Sequence, residues 1–122
     1  MSFLIINFKE YVIKTILKKV CHTMSIFYFL IEAVPMKNNP ESEYLDGAFI
    51  NCWVKADSTK DAIKKAKAYV KWEKWKWLYA EDMYTVERER YLDEPDSLEA
   101  YDTACEYGAM GVFYTFSDDE ED

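Results

Sequence analysis

Few residues in the chain have side chains that act as nucleophiles or proton carriers near neutral pH. There is one histidine, His22, and there are three cysteines, Cys21, Cys52 and Cys105, none of them in a C-x-x-C pair. Disulfide frameworks and zinc sites need cysteines and histidines in recognisable pairs or clusters. The pattern instead predicts buried, reduced thiols in the cytoplasm, where structural cysteines behave as small apolar residues.

Carboxylates are the one abundant group with acid–base capacity, and several lie close together in the sequence. The pairs are Glu81 with Asp82, Glu87 with Glu89, and Asp93 with Glu94. Such pairs serve acid–base catalysis or bind Ca²⁺ and Mg²⁺. On turns and edge strands they more often protect a sheet from aggregation. An extended chain over 75–91 would place Glu87 and Glu89 on one strand face.

Motifs that mark an enzyme or a cofactor site are missing from the sequence. No phosphate-binding glycine loop, nucleophile elbow or H-E-x-x-H motif occurs, and the whole chain has three glycines. We therefore predict no catalytic, cofactor-binding or metal-binding residue, and a protein that is not an enzyme. Chemistry carried by carboxylates alone is the exception that this argument leaves open, because it needs no local motif.

Two segments carry charges of opposite sign at helical spacing. The basic stripe comprises Lys60, Lys64, Lys67, Lys71 and Lys74. The acidic stripe comprises Asp96, Glu99, Asp102 and Glu106. Side chains at this spacing share one helix face. Both stripes are predicted to be surface features. One possibility is that both stripes are simply solvated. Another is that they attract each other, within one molecule or across a dimer. The lysines alone could instead bind an anionic ligand.

Aromatic residues are more numerous than one sheet face requires. The tryptophans are Trp53, Trp72, Trp75 and Trp77, and the nearby tyrosines are Tyr69, Tyr79, Tyr84 and Tyr91. Tryptophan and tyrosine are enriched at the centres of protein interfaces. We predict that the four tryptophans contribute to an interaction surface, with a tryptophan-rich core as the alternative.

Hydrophobic periodicity divides the chain into short strands and two helices. Strands are predicted at 25–34, 48–56 and 112–116, an extended segment at 75–91, and helices at 58–72 and 96–108. Ser58 followed by Asp61 is typical of a helix start. Pro95 suits the first position of the second helix, and Gly108 suits its end.

Two element orders are compatible with this pattern, because the apolar phase shifts near 81–82. A turn at this point gives the strand–helix–strand–strand–helix–strand order of a ferredoxin-like domain, with 25–34 as an added strand. A bulge in one long strand gives the order ββαβαβ. In both cases we predict an α+β fold with a mostly antiparallel or mixed sheet and both helices on one face.

Several short stretches, taken together, resemble small bacterial proteins of uncharacterised function. They are Phe49–Val54 (FINCWV), a tryptophan-rich strand start, Arg88–Tyr91 (RERY) before an acidic helix, and a glycine followed by an aromatic strand. The resemblance covers residues 24–117. It implies no activity and no functional residue.

The composition fits one domain with a segment on each side of it. The chain has 122 residues, of which 50% are hydrophobic, and this is enough for one core. We assign the α+β domain to residues 24–117 and an acidic tail to 118–122. Residues 1–23 are apolar at helical spacing with interspersed lysines, which predicts an amphipathic helix or an extension to the domain. Lys9 interrupts the apolar run, so no membrane span is expected.

The net charge narrows the class of partner. A formal charge of −8 repels phosphate backbones, so nucleic acid is a poor candidate. We predict a small acidic protein-interaction module, of the inhibitor or immunity type, that covers a basic surface on a protein partner. The alternative is a small-ligand-binding or regulatory dimer that uses the Lys60–Lys74 stripe. A homodimer is expected, with residues 3–20 of one chain against a sheet face or helix of the other.

Overall fold

The computed structural model describes residues 24–117. Its elements are β1 (Ser25–Pro35), β2 (Gly47–Ala56), α1 (Thr59–Trp72), β3 (Trp75–Val86), a 3-10 helix (Arg88–Tyr91), α2 (Pro95–Tyr107) and β4 (Ala109–Phe116). The four strands form one antiparallel sheet in the order β3-β1-β2-β4. The predicted α+β class is confirmed. Residues 1–23 and 118–122, with the predictions made for them, lie outside the described residues.

The central strands β1 and β2 are each buried on both faces over part of their length. Neighbouring side chains of a strand point to opposite faces of the sheet. Ile26 and Phe27 are nevertheless both buried in β1, and Cys52, Trp53 and Val54 are all buried in β2. A sheet whose central strands are apolar on both sides needs a covering element on each side.

The two helices therefore lie on opposite faces of the sheet, and the prediction of both on one face is wrong. Helix α1 buries Ala62, Ala66 and Val70 against one set of strand residues, among them Phe29, Ile31, Ile50 and Cys52. Helix α2 buries Ala100, Tyr101 and Ala104 against the other set, which includes Ile26, Trp53 and Val86. One helix cannot cover apolar side chains that point in opposite directions.

Strand β3 resolves the choice between the two element orders. It continues from Trp75 to Val86, and its register with β1 shifts after Leu30 and again after Glu32. Each shift leaves one extra residue on β3, namely Glu81 and Leu78. The structure therefore has one bulged strand and the ββαβαβ order, and it lacks the ferredoxin-like order.

Trp75 connects the two edge strands, β3 and β4, through the core on the α1 side. Its ring is buried, and its centre lies 5.9 Å from that of Phe113 on β4, although β1 and β2 separate the two strands. Ala33 and Ala48 are fully buried on the intervening strands. Their short side chains leave the space in which the indole lies across the sheet.

The 3-10 helix closes the core on the α2 side. Residues 75–91 were expected to be extended throughout, but the strand ends at Val86 and the chain turns back. This turn buries Tyr91 beneath Trp53, with the rings edge to face at 5.7 Å. The Trp53 indole Nε1–H donates a hydrogen bond of 3.0 Å to the Tyr91 hydroxyl oxygen. Burial of that aromatic pair explains the departure from an extended chain.

No helix within residues 24–117 is long and apolar enough to cross a membrane.

We expect Tyr91→Phe to lower the free energy of unfolding by about 1–3 kcal/mol, because it leaves the buried Nε1–H of Trp53 without its acceptor. In a Trp53→Phe background the same change has a smaller effect, because the donor is already gone. Urea unfolding of the four proteins gives the coupling energy. Tyr107→Phe, at a 75% exposed tyrosine, is the control. Equal costs of Tyr91→Phe in both backgrounds would contradict the assignment.

Candidate functional site

The sheet separates the two charged stripes. Helix α1 carries five lysines and one aspartate, and α2 carries four carboxylates and no lysine or arginine. Because the helices pack on opposite faces, the lysines project from one side of the protein and the carboxylates from the other. The stripes are too far apart to attract each other within one molecule, and the protein is electrically polarised across its sheet.

The basic stripe consists of four residues on α1 and one in the turn that follows. Lys60, Lys64, Lys67 and Lys71 are exposed on the helix. Lys74 lies beyond the helix end in the left-handed region, with a φ of 70°. Its carbonyl oxygen accepts hydrogen bonds from the backbone N–H of Met36 and the side-chain Nδ2 of buried Asn39. Lys74 therefore fixes the turn before β3 through its backbone.

A shallow recess lies beside the basic stripe, between α1 and the start of β3. It has a volume of about 440 Å³ and is lined by Met36, Lys67, Lys71, Trp75, Lys76 and Trp77. The Lys67 ammonium nitrogen lies 5.5 Å from the centre of the Trp77 ring, within the range of a cation–π contact. The recess combines an aromatic floor with a cationic rim, which suits a flat anion.

The acidic stripe is fully exposed, but its members differ in their partners. Asp102 accepts two hydrogen bonds from the Arg88 guanidinium, at 2.8 and 2.9 Å. These bonds lower the pKa of the Asp102 carboxyl and offset its charge. Asp96, Glu99 and Glu106 have no such cation within the described residues, so they carry the negative potential of this side.

Next to α2, part of the sheet has no helix over it. Helix α2 has 13 residues and is about 20 Å long, whereas β1 has 11 residues and spans about 36 Å. The uncovered side chains on this side, which we call the open half-face, are Leu30, Glu32, Val34, Phe49, Asn51, Lys76, Tyr79, Asp82, Tyr114 and Phe116. Leu30, Val34 and Phe49 belong to neither core cluster. The open half-face is therefore a mixed surface, with apolar and aromatic side chains among polar ones, beside an acidic helix.

Hydrogen bonds hold the polar side chains on and beside the open half-face in place. The Tyr79 hydroxyl donates to Glu32 Oε1 at 2.6 Å, and this bond, more than partial burial, raises the pKa of Tyr79 to about 12. The Tyr28 hydroxyl donates to Asn51 Oδ1 at 2.6 Å, and burial raises the pKa of Tyr28 to about 12. Fixed side chains lose little conformational entropy when a partner binds.

The four tryptophans divide between core and surface. Trp53 and Trp75 are buried and belong to opposite core clusters, so they are not available to a partner. Trp77 is half-buried in the recess, and Trp72 is 76% exposed at the end of α1. With Tyr107, Trp72 lines a groove of about 550 Å³ that also includes Met24, the first described residue.

Within the part of the chain that the structure describes, the residues with potential for catalysis are not gathered into one site. Burial raises the pKa of the Cys52 thiol to about 12, so this cysteine stays protonated in the core. Glu81, Glu87 and Glu89 are all exposed, Glu81 at a bulge of β3 and the other two at the turn after it. Within residues 24–117, no group of three or more histidine, cysteine or acidic side chains is arranged to hold a metal ion.

Sequence reasoning identified the charged stripes and missed the open half-face. Its one sequence signal was Glu32, a charged residue within the apolar run of β1, on a strand where the exposure of Leu30, Glu32 and Val34 alternates with the burial of Ile31 and Ala33. That alternation indicates a strand with one buried and one partly solvated face. The signal became readable only once the strand partners and the length of α2 were known.

The chain was compared with protein-family models, with curated proteins and with solved structures, and none of the three comparisons gave a match.

We expect Tyr28→Phe to weaken the alkaline pH dependence of stability. Tyr28 ionises near pH 10 in the unfolded chain and near pH 12 in the folded one. Its contribution is therefore fully present below pH 10 and is lost as the pH rises toward 12. Thermal unfolding between pH 9 and about 12 measures the slope. The expectation fails if Tyr28→Phe and the wild type lose stability equally steeply.

Replacing Lys74 by glycine should stabilise the fold by up to about 1 kcal/mol, because glycine adopts a φ of 70° without the strain of a side chain. The same replacement at Lys64, inside α1, should destabilise it by about 1 kcal/mol. Denaturant unfolding of both variants tests the pair. A loss of stability in Lys74→Gly would show that its side chain matters more than its backbone conformation.

Proposed function

We propose that this protein is a non-catalytic binding module that covers a basic surface of another protein with its α2 side. The observation that carries the proposal is the position of the open half-face beside the acidic helix α2, on the side of the sheet opposite the basic stripe. Apolar anchors and a predominantly negative charge then belong to a single surface. An inhibitor or immunity-type role is the form of binding that this surface suits best.

The acidic side supplies attraction over distance. Helix α2 contributes the acidic stripe, and the 87–94 segment adds four carboxylates and two arginines, one of which is bound to Asp102. A surface of one sign raises the rate at which an oppositely charged partner associates, and salt weakens this effect. The overall charge of −8 acts in the same direction.

The open half-face supplies short-range contacts. Tyr79 and Tyr114 are about half exposed, and Glu32 and Phe49 lie between them on the sheet, with Leu30 in the next row. Aromatic side chains that are fixed before binding are typical of residues that dominate interface energies. The partner surface that fits has basic residues around a small apolar projection.

The recess beside the basic stripe supports a second candidate function. Lys67 over the ring of Trp77, with Lys71 and Lys76 on the rim, favours binding of a flat anion such as an aromatic carboxylate. This is the small-ligand alternative, and it uses the other side of the sheet. The recess is shallow, whereas ligand sites are usually deep enough to bury most of the ligand, so the α2 side is the stronger candidate.

Substitutions that change the charge on each side of the sheet test the proposal and distinguish it from the small-ligand alternative. A partner captured by the full chain should bind Glu99→Arg and Tyr79→Arg at least about tenfold more weakly, chiefly through a slower association rate for Glu99→Arg. The matched controls Lys64→Glu and Trp72→Arg make similar changes on the α1 side and should bind as the wild type does. Surface plasmon resonance at low and high salt gives both rate constants.

The opposite pattern would contradict this proposal. If Lys64→Glu and Trp72→Arg lose binding while Glu99→Arg and Tyr79→Arg keep it, the α1 side is the binding surface. The ligand alternative is favoured by two results together. An aromatic carboxylate binds the wild type but not Lys67→Glu, and the two α1-side and two α2-side variants bind the protein partner equally well.

A further inference from the structure

The two edges of the sheet differ in their protection against pairing with another strand. Edge strands usually carry charges, prolines or bulges that prevent such pairing. Strand β3 has two bulges and carries Lys76, Glu81 and Asp82. Strand β4 has the sequence AMGVFYTF, with no charge and no proline, and its register with β2 is unbroken over eight residues. Only β4 offers a regular edge.

The register shows which backbone groups of β4 face outward. The Lys55 N–H donates to the Gly108 carbonyl oxygen at 2.9 Å, so every second residue after Gly108 bonds to β2. The backbone groups at 109, 111, 113 and 115 then point away from the sheet. The outward N–H of Gly111 donates to the Tyr69 hydroxyl oxygen at 2.9 Å, which agrees with this assignment.

Tyr69 caps the edge at one point and leaves the rest of it open. Its ring lies so close to Gly111 that a Cβ there would be 2.8 Å from Tyr69 Cε2. Beyond Gly111, the N–H groups of Phe113 and Thr115 have no hydrogen-bond acceptor among residues 24–117. A short edge of uncharged, strand-forming residues is thus available in the second half of β4.

We propose that β4 pairs with β4 of a second copy of this chain, antiparallel, around a two-fold axis at Tyr114. In this register Phe113 of each copy opposes Thr115 of the other, and each pair exchanges two N–H···O=C bonds. The edge is therefore complementary to itself and gains four hydrogen bonds. Gly111 opposes residue 117, which lies beyond the end of β4 at Phe116, so no strand residue of the second copy replaces the Tyr69 cap. The product is a continuous sheet of eight strands.

The charge distribution favours this edge as the contact between copies. Stacking two α2 sides face to face would bring acidic surfaces together, which is unfavourable. Edge pairing uses the uncharged strand and keeps both charged sides in solvent. A two-fold axis perpendicular to the sheet also places the two open half-faces side by side, with the 58% exposed Tyr114 rings in contact across the axis.

This inference does not rest on the proposed function, since β4 can pair whether or not the α2 side binds a partner. Full-length protein should show the mass of a dimer by light scattering at micromolar concentration. Thr115→Pro removes an outward N–H and no bond to β2, so it should be monomeric with an unchanged fold by circular dichroism. Thr115→Val keeps the edge and should remain dimeric.

A second variant keeps the test decisive if Thr115→Pro fails to fold. Tyr114→Lys places two like charges at the axis and changes only an exposed side chain, so it should raise the dimer Kd at least tenfold. The inference is overturned if the wild type is monomeric, or if folded Thr115→Pro or Tyr114→Lys dimerises as the wild type does. A dimer that depends on residues 1–23 and not on Thr115 overturns it equally.

Discussion

Burial of β1 and β2 on both faces, over the part of each strand near Ile26 and Trp53, is the constraint from which the rest of the structure follows. Consecutive apolar residues such as Cys52, Trp53 and Val54 point in opposite directions and must all leave water. One helix on each side of the sheet is the smallest arrangement that achieves this. Helix α2 is shorter than the strands it covers, so the same constraint leaves the open half-face exposed. The surface that we propose to bind a partner is thus the part of the sheet that the second layer does not reach.

Local sequence signals predicted the elements, and long-range packing decided how they are arranged. Ser58 caps α1 by accepting the backbone N–H of Asp61, and Gly108 ends α2 with a φ of 107°, as the residue types indicated. The face on which each helix packs has no local signal, because it depends on which strand neighbours which. The apolar run from Ile26 to Ile31 in β1 did carry a signal, since strands covered on both sides have continuous apolar sequences. The 3-10 helix was missed because burying Tyr91 under Trp53 outweighs the alternating pattern of the segment.

The candidate site was predictable in its charges and not in its aromatic residues. Long charged side chains at helical spacing are almost always exposed, so the positions of Lys64 and Glu99 followed from the pattern alone. An indole can pack inside or outside. Trp53 and Trp72 look alike in the sequence, yet one fills the core and the other is 76% exposed. Trp75 adds a further case, because it reaches Phe113 only where two alanines make room.

Because the sheet separates the two stripes, the sign of a charged surface determines which side of the protein binds to it. At long range the formal charge of −8 determines the interaction, and the protein acts as an anion. Within a Debye length of about 8 Å at physiological salt, a surface senses only the side that faces it. The same protein then adsorbs to a cationic resin through α2 and to an anionic resin through α1. Its orientation on each is opposite, so a label at Trp72 is hidden on the anionic resin and exposed on the cationic one.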